Sequence, residues 1–175
     1  MELVRIGDKV VSVPKIERAV REIIELRSKG ISQQEVAEKF NTDRTFVSRL
    51  ESIGEIRKGK RIAVVGFPIK NIGEIEELMH EEGIDFYILM TDKERWDFIK
   101  NKSGLELFNE IMELTARVRT YETVIIIGSD YRIKIIEALL DSQVIAINIG
   151  ESPINEDKYV DPESMKEIIR NVKGE

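Results

Sequence analysis

The chain of 175 residues has no cysteine and only one histidine. Without cysteine it can form no disulfide, no thiol nucleophile and no cysteine-ligated zinc or iron–sulfur site. A single histidine excludes metal sites built from several histidines and makes a catalytic triad a poor expectation. The composition therefore argues against the protein classes that depend on these side chains.

Long apolar runs are also missing from the sequence. No run reaches the roughly 18 residues that suggest a membrane-spanning helix. The first ten residues, MELVRIGDKV, contain no apolar segment of the kind found in signal peptides. We therefore expect a cytoplasmic protein without a membrane partner.

Charge is distributed unevenly along the chain. Residues 1–61 contain 14 Lys/Arg and 10 Asp/Glu, a net charge of +4, whereas residues 62–175 contain 13 and 23, a net charge of −10. A basic segment followed by an acidic one suggests two units with different partners. The basic run GEIRKGKR at 54–61 lies between them, as a linker or a hairpin. We predict two domains, residues 1–58 and 59–175.

The sequence pattern of the first sixty residues predicts mainly short helices. Two β-rich runs flank Gly7-Asp8, where a tight turn is possible. A helix is predicted over 14–29, with Pro14 at its first position and Gly30 as its stop. The following block, SQQEVAEKFNTDRTFVSRLE (32–51), begins with a capping box of Ser32 and Glu35. Further on, Asn41 tolerates a left-handed backbone, and Thr42 can cap a second helix. Apolar side chains recur every three or four residues, at Val36, Ala37, Phe40, Phe46, Val47 and Leu50.

This block resembles the helix-turn-helix of phage-repressor (Cro-type) transcriptional regulators, over about residues 14–56. The small Ala37 stands where the two helices must cross closely, and Asn41 stands where the family commonly has glycine. The resemblance implies an all-α DNA-binding domain whose second helix, 43–51, lies in the major groove of double-stranded DNA. It also implies that Gln33 donates a hydrogen bond to backbone phosphate.

The outward positions of the second helix are the predicted DNA contacts. Arg44 or Arg49 could make a bidentate contact to guanine, and Thr45 could meet a thymine methyl group or a phosphate. The basic run after this helix could add phosphate contacts, or could be only a soluble linker. The predicted DNA-binding residues are Gln33, Thr42, Asp43, Arg44, Thr45, Ser48, Arg49, Arg57, Lys58, Lys60 and Arg61.

From residue 62 onward, strand-like and helical segments alternate four times. The strand-like runs are RIAVVGF, DFYILMT, TVIIIGSD and QVIAINIG, and they are continuously apolar, as in strands buried on both faces. The alternation predicts a parallel sheet with helices on both sides. The expected fold is α/β, with an all-α helix-turn-helix domain followed by a three-layer domain that resembles the Rossmann fold.

Ligands of open parallel sheets bind at the carboxyl ends of the strands, so the loops there form a possible pocket. Three interpretations stay open for its polar residues. They could hold a small anionic effector through their basic groups, they could bind Mg²⁺ through their carboxylates, or they could be helix caps in a domain that only dimerises. The residues are Gly66, Lys70, Asn71, Asp92, Arg95, Ser129, Asp130, Arg132 and Glu151.

We interpret the chain as a sequence-specific DNA-binding transcriptional regulator and not as an enzyme. A single module of this kind buries little surface, so we expect a homodimer on a palindromic site, with a small-molecule effector possible and no cofactor assigned. The second domain would serve for dimerisation or effector binding.

Three alternatives remain at this stage. One is a metal-dependent phosphoryl hydrolase or nuclease with a DNA-targeting module, although Gly66-Phe67-Pro68 stands where such enzymes have an aspartate. Only the acidic loop at Gly128-Ser129-Asp130 resembles them. Another is a nucleotide-sensing repressor, although the loop GFPIKNIG lacks the G-x-G-x-x-G fingerprint. The last is an adaptor whose helix-turn-helix binds protein.

Overall fold

The computed structural model describes residues 2–56, 58–59 and 61–175. The chain divides into two compact units, Met1–Glu55 and Ile56–Glu175; the domain boundary predicted from the sequence follows residue 58. In the part of the chain that the structure describes, no helix is both long and apolar enough to cross a membrane.

Unit 1 begins with an antiparallel hairpin of β1 (Leu3–Ile6) and β2 (Lys9–Ser12). Gly7 makes the turn with a φ of 58°, a left-handed conformation that glycine adopts without steric cost. The expectation of an all-α first domain is therefore wrong in this detail. The hairpin follows from the local sequence, because short β-branched runs on both sides of a Gly-Asp pair favour two strands joined by a tight turn.

Three helices complete unit 1. They are α1 (Val13–Ser28), α2 (Gln33–Lys39) and α3 (Arg44–Gly54). Ile23 of α1, Val36 and Ala37 of α2, and Val47 of α3 are buried together. Of the other apolar positions that the sequence spacing singled out, Phe40 and Leu50 pack against this core as partly buried side chains, whereas Phe46 is 45% exposed and lies outside it.

Unit 2 contains a parallel four-stranded sheet. Its strands lie in the order β4-β3-β5-β6, and all three pairings are parallel. Ile62 pairs with Thr123, which in turn pairs with Gln143. The strand bounds are β3 Ile62–Gly66, β4 Phe86–Leu89, β5 Thr123–Gly128 and β6 Gln143–Asn148. The predicted parallel α/β sheet is confirmed.

Helices cover both faces of this sheet. On one face, Val64, Ile125 and Ile127 join a core with residues of α4 and α8. On the opposite face, Ala63, Val124 and Ile126 pack with residues of α6 and α7. The helix bounds are α4 Ile72–Glu81, α5 Asp92–Lys100, α6 Gly104–Val118, α7 Asp130–Leu139 and α8 Pro162–Lys173.

A buried carboxylate connects α4 to α8. Glu82, directly after α4, has a side chain only 5% exposed, and it accepts hydrogen bonds from Arg170 Nε at 3.1 Å and Lys173 Nζ at 3.4 Å. Lys173 also donates to the Glu82 carbonyl oxygen. Burial alone would raise the pKa of Glu82, but the hydrogen bonds and charges of Arg170 and Lys173 outweigh burial and hold this pKa below its usual range.

Replacing this carboxylate with an amide should destabilise the fold in a pH-dependent way. At pH 7, Glu82→Gln should lower the free energy of unfolding by about 1–3 kcal/mol, because two cationic donors lose their charged acceptor. The folded-state pKa is depressed, so the stabilisation is complete above the ordinary value of 4.5 and is lost as pH falls through the folded-state pKa. The difference between variant and wild type should therefore shrink toward pH 3. Urea unfolding at both pH values measures it.

The matched control is Glu81→Gln. Glu81 pairs with Lys166 at 3.3 Å, but its side chain is 64% exposed, so the change should have little effect at either pH. Equal effects of the two substitutions would contradict a special role for the buried carboxylate.

Candidate functional site

Helix α2 begins with a complete capping box. The Ser32 hydroxyl accepts a hydrogen bond from the Glu35 N–H at 3.2 Å, and the Glu35 carboxylate accepts one from the Ser32 N–H at 3.1 Å. The hydrogen bonds from the Ser32 side chain and backbone hold the pKa of Glu35 below its usual range. The capping box predicted from the sequence is confirmed, and it fixes where α2 starts.

The turn between α2 and α3 depends on a left-handed residue. Asn41 has a φ of 51°, and the next residue, Thr42, donates its N–H to the carbonyl oxygen of Ala37 at 2.9 Å. Ala37 is 1% exposed, so a larger side chain there would press against the neighbouring helices. The predicted conformation of Asn41 and the inward position of Ala37 are both confirmed.

Helix α3 starts one residue later than the sequence suggested. Its N-cap is Asp43, whose carboxylate accepts the Phe46 N–H at 2.8 Å, and Thr42 is not the cap. The reason is geometric, since the residue immediately before the first helical residue is the one whose side chain reaches the third helical N–H. Asp43 was predicted to contact DNA bases, but in this structure its carboxylate is engaged within the helix end.

The outward face of α3 carries polar and basic side chains. Arg44, Thr45 and Arg49 are exposed and Ser48 is half-buried, whereas Val47 is fully buried. Helical periodicity places residues 44, 45, 48 and 49 on one face, away from Val47 and Leu50. Four of the predicted DNA-binding residues thus share one helix face, and Thr42 is half-buried in the preceding turn.

A polar network links the starts of α2 and α3. Gln33 donates its amide N–H to Glu51 Oε2 at 2.8 Å, and its amide oxygen accepts from Arg44 Nε at 3.3 Å. Arg27 Nε donates to Glu51 Oε1 at 2.5 Å. The hydrogen bonds from Arg27 and then Gln33 hold the pKa of Glu51 below its usual range. Sequence reasoning missed Arg27 and Glu51, because only the packing of α1 against α3 brings them together.

The basic run after α3 is only partly described. Arg57 and Lys60 lie outside the described residues. Lys58 and Arg61 belong to unit 2, where the Arg61 guanidinium lies 5.0 Å from the centre of the Tyr121 ring. Between them, the buried Gly59 donates its N–H to the Val172 carbonyl oxygen at 3.0 Å. Gly59 and Arg61 are therefore held by contacts within unit 2.

In the loop region that follows β3 and β4, three of the predicted pocket residues, Asn71, Asp92 and Arg95, already have protein partners. The side chain of Asn71 donates to the Val160 carbonyl oxygen at 2.8 Å and accepts the Val160 N–H at 2.9 Å. Asp92 forms an ion pair with Arg95. Lys70 is exposed. A Cβ on Gly66 would lie 2.5 Å from Ile69 Cδ1, so the side chain of Ile69 fills the space above the end of β3.

The loops after β5 and β6 show the same use of polar groups. Ser129 caps α7 by accepting the Arg132 N–H at 3.4 Å, and Asp130 accepts the Ser152 N–H at 2.9 Å. Backbone hydrogen bonds from Ser152 and Tyr131 hold the pKa of Asp130 below its usual range. Glu151 is exposed beside a shallow depression. Among the described residues, no group of three or more potential histidine, cysteine or carboxylate ligands could hold a metal ion.

Two of the predicted pocket residues do share a cavity. Arg95 and Arg132 both line an apolar cleft of about 450 Å³ in unit 2. The other seven are not among the residues that line it. Two surfaces of the protein therefore merit functional interpretation, namely the outward face of α3 and this cleft.

Comparison of the chain with protein-family models, with curated proteins and with solved structures gave no significant match.

Removing the α3 cap should destabilise unit 1 without any change in its core. Asp43→Ala should lower the free energy of unfolding by about 1 kcal/mol, whereas Asp43→Ser should be nearly neutral because serine also caps helices well. Thermal unfolding followed by circular dichroism, together with hydrogen exchange of the α3 amides, measures the effect. If alanine and serine at position 43 behaved alike, Asp43 would not be the stabilising cap.

Proposed function

We propose that the protein is a sequence-specific DNA-binding transcriptional regulator that places α3 in the major groove. The observation that carries the proposal is the exposed polar face of α3, held at a sharp turn from α2. Arg44, Thr45 and Arg49 are all exposed on that face. A buried core behind the same helix, centred on Val47, holds this face in a fixed position. In the helix-turn-helix geometry, such a second helix reads base edges with residues near its N-terminus.

The side chains of this face suit direct readout of base pairs. A guanidinium can donate two hydrogen bonds to guanine O6 and N7, the most common specific contact in the major groove. Arg44 stands at the first position of α3, and Arg49 lies further along the same face. Thr45 offers a methyl group for thymine and a hydroxyl for phosphate. Different chemistries on one exposed face favour sequence selection over contact with phosphates alone.

Gln33 supports the same proposal from the start of α2. Its amide oxygen lies 3.3 Å from Arg44 Nε, a long hydrogen bond that can exchange for a base or a phosphate at little cost. The Gln33 amide N–H is shared with Glu51. We propose that Gln33 positions Arg44 and turns its own amide N–H to phosphate when DNA is bound.

A second copy of the chain is part of the proposal, because one module of this size gives limited affinity. Helix α6 offers a surface for it. Leu105, Phe108 and Met112 recur at spacings of three and four residues and are 71%, 61% and 55% exposed. An apolar stripe with this period is typical of helices that pair with a partner helix. We propose that α6 pairs with its symmetry mate in a homodimer.

In the described part of the chain, no site geometry favours the enzymatic or nucleotide-binding alternatives. Gly66, Phe67 and Pro68 at the end of β3 supply no carboxylate for a metal. Pro68 has no N–H to offer a phosphate, and the side chain of Ile69 fills the space that an approaching pyrophosphate would need.

The most direct test is selection from a randomised duplex pool at two salt concentrations. We expect enrichment of an inverted repeat whose half-sites lie about one helical turn apart, as two-fold related recognition helices require. If the selected duplexes shared no consensus and binding disappeared at the higher salt concentration, unit 1 would be a non-specific phosphate binder. That result would contradict the proposal.

Replacing the exposed arginines of α3 should change which sequence is selected. Arg44→Ala and Arg49→Ala should each weaken binding to the preferred site by about 1–3 kcal/mol and relax one base position. Quantitative binding to the selected site and to its single-base variants measures both effects. The matched control is Arg21→Ala, which removes an exposed arginine from the face of α1 opposite Ile23. An unchanged site preference in both α3 variants would remove these residues from the readout.

A further inference from the structure

An apolar cleft opens in unit 2 on the face of the sheet that α6 and α7 cover. It has a volume of about 450 Å³, within the usual range for small-molecule sites. Its floor is formed by strands β3, β4 and β5, and its walls by α5, α6 and α7. Side chains from these elements include Val65, Ile88, Ile126, Leu107, Leu114 and Ile136.

The cleft reaches the core of unit 2. Ile126 on its floor is 2% exposed, and Val118 at its side is 6% exposed. Water in such a space would find few hydrogen-bond partners, whereas an apolar group would find contacts on several sides. At about 30 Å³ per water-sized group, the space holds on the order of ten to fifteen non-hydrogen atoms.

The charged side chains that line the cleft differ in whether they already have a partner within the protein. Glu110 is paired with Lys102 at 2.9 Å. Arg95 forms an ion pair with Asp92, and its guanidinium carbon lies 5.4 Å from the centre of the Trp96 ring. The guanidinium of Arg132, in contrast, has no ion pair or hydrogen bond among the described residues. The cleft therefore combines apolar walls with one available cation.

We infer that this cleft binds an amphipathic carboxylic acid, with its apolar part over the strand floor and its carboxylate on Arg132. Charge complementarity selects the head group, because a planar guanidinium matches the two oxygens of a carboxylate. The volume limits the apolar part to roughly the size of a ten-carbon chain. This inference goes beyond the DNA-binding proposal and does not depend on it, since every lining residue belongs to unit 2.

The test compares decanoate with decanol, two probes of equal chain length that differ in the charge of the head group. Binding to the full chain is measured by titration calorimetry below the micellar concentration of decanoate. Trp96, the single tryptophan, gives a second, fluorescent readout beside Arg95. We expect decanoate to bind about tenfold more tightly than decanol, as hydrogen bonds to charged groups typically provide.

Two variants locate the head group. Arg132→Gln should abolish the preference for decanoate while leaving decanol binding unchanged. Lys134→Gln is the matched control, because it removes an exposed cation two residues away on α7 that does not line the cleft. Equal binding of decanoate and decanol by the wild type, or equal effects of the two substitutions, would overturn the inference.

A third variant tests the cavity itself. Leu114→Phe should fill part of the cleft and weaken both probes without lowering the melting temperature, since filling an existing apolar cavity is commonly stabilising. If neither probe bound the wild type, the inference would be wrong. A dimer that is lost in Leu114→Phe, measured by sedimentation, would then show that a second copy closes the cleft. Selection of a DNA site by unit 1 is measured separately, so failure here leaves that proposal standing.

Discussion

Burial of both faces of β3 and β5 is the constraint on which unit 2 depends. All six residues of β5 are buried, and four of the five residues of β3 are. A strand without a polar face needs helices on both sides. Because parallel crossovers are right-handed, the direction in which the chain moves across the sheet decides which face each helix covers. The chain reverses that direction between β3 and β5, which puts α4 on one face and α6 and α7 on the other. The apolar cleft lies beside these same two strands.

The elements that the sequence predicted well are those governed by neighbouring residues. The capping box at Ser32 and the left-handed turn at Asn41 each depend on residues within a few positions of one another. The parallel sheet was also predictable, because its strands are uninterrupted apolar runs between helical segments. The one-residue error at Thr42 arose because Thr42 and Asp43 are both good caps, and sequence alone does not say which precedes the helix.

The functional surfaces were less predictable, for physical reasons. The link from Arg27 through Glu51 to Gln33 joins residues of three helices and exists only once these helices pack. The polar residues of the sheet loops were expected to meet a ligand, yet Asn71 and Asp130 bind backbone groups of distant loops. A carboxylate or an amide can bind a ligand or hydrogen-bond to backbone groups equally well. The residue type alone therefore does not show which of these two roles it has. The cleft itself is a gap between the sheet and three helices, α5, α6 and α7, which the periodicity of no single helix encodes.

The pairing of β3 with β5 also bears on how the chain folds as it is made. Ile62 lies opposite Thr123, so the central strands are separated by about sixty residues of chain, whereas α2 and α3 of unit 1 are nearly adjacent in sequence. Local contacts form quickly and distant parallel pairings slowly. At about 5–20 residues per second, β5 leaves the ribosome several seconds after β3. During this interval, the edge of β3 that pairs with β5 has no partner strand. The nascent chain is then most exposed to aggregation, and it would gain most from a chaperone at this point of its synthesis.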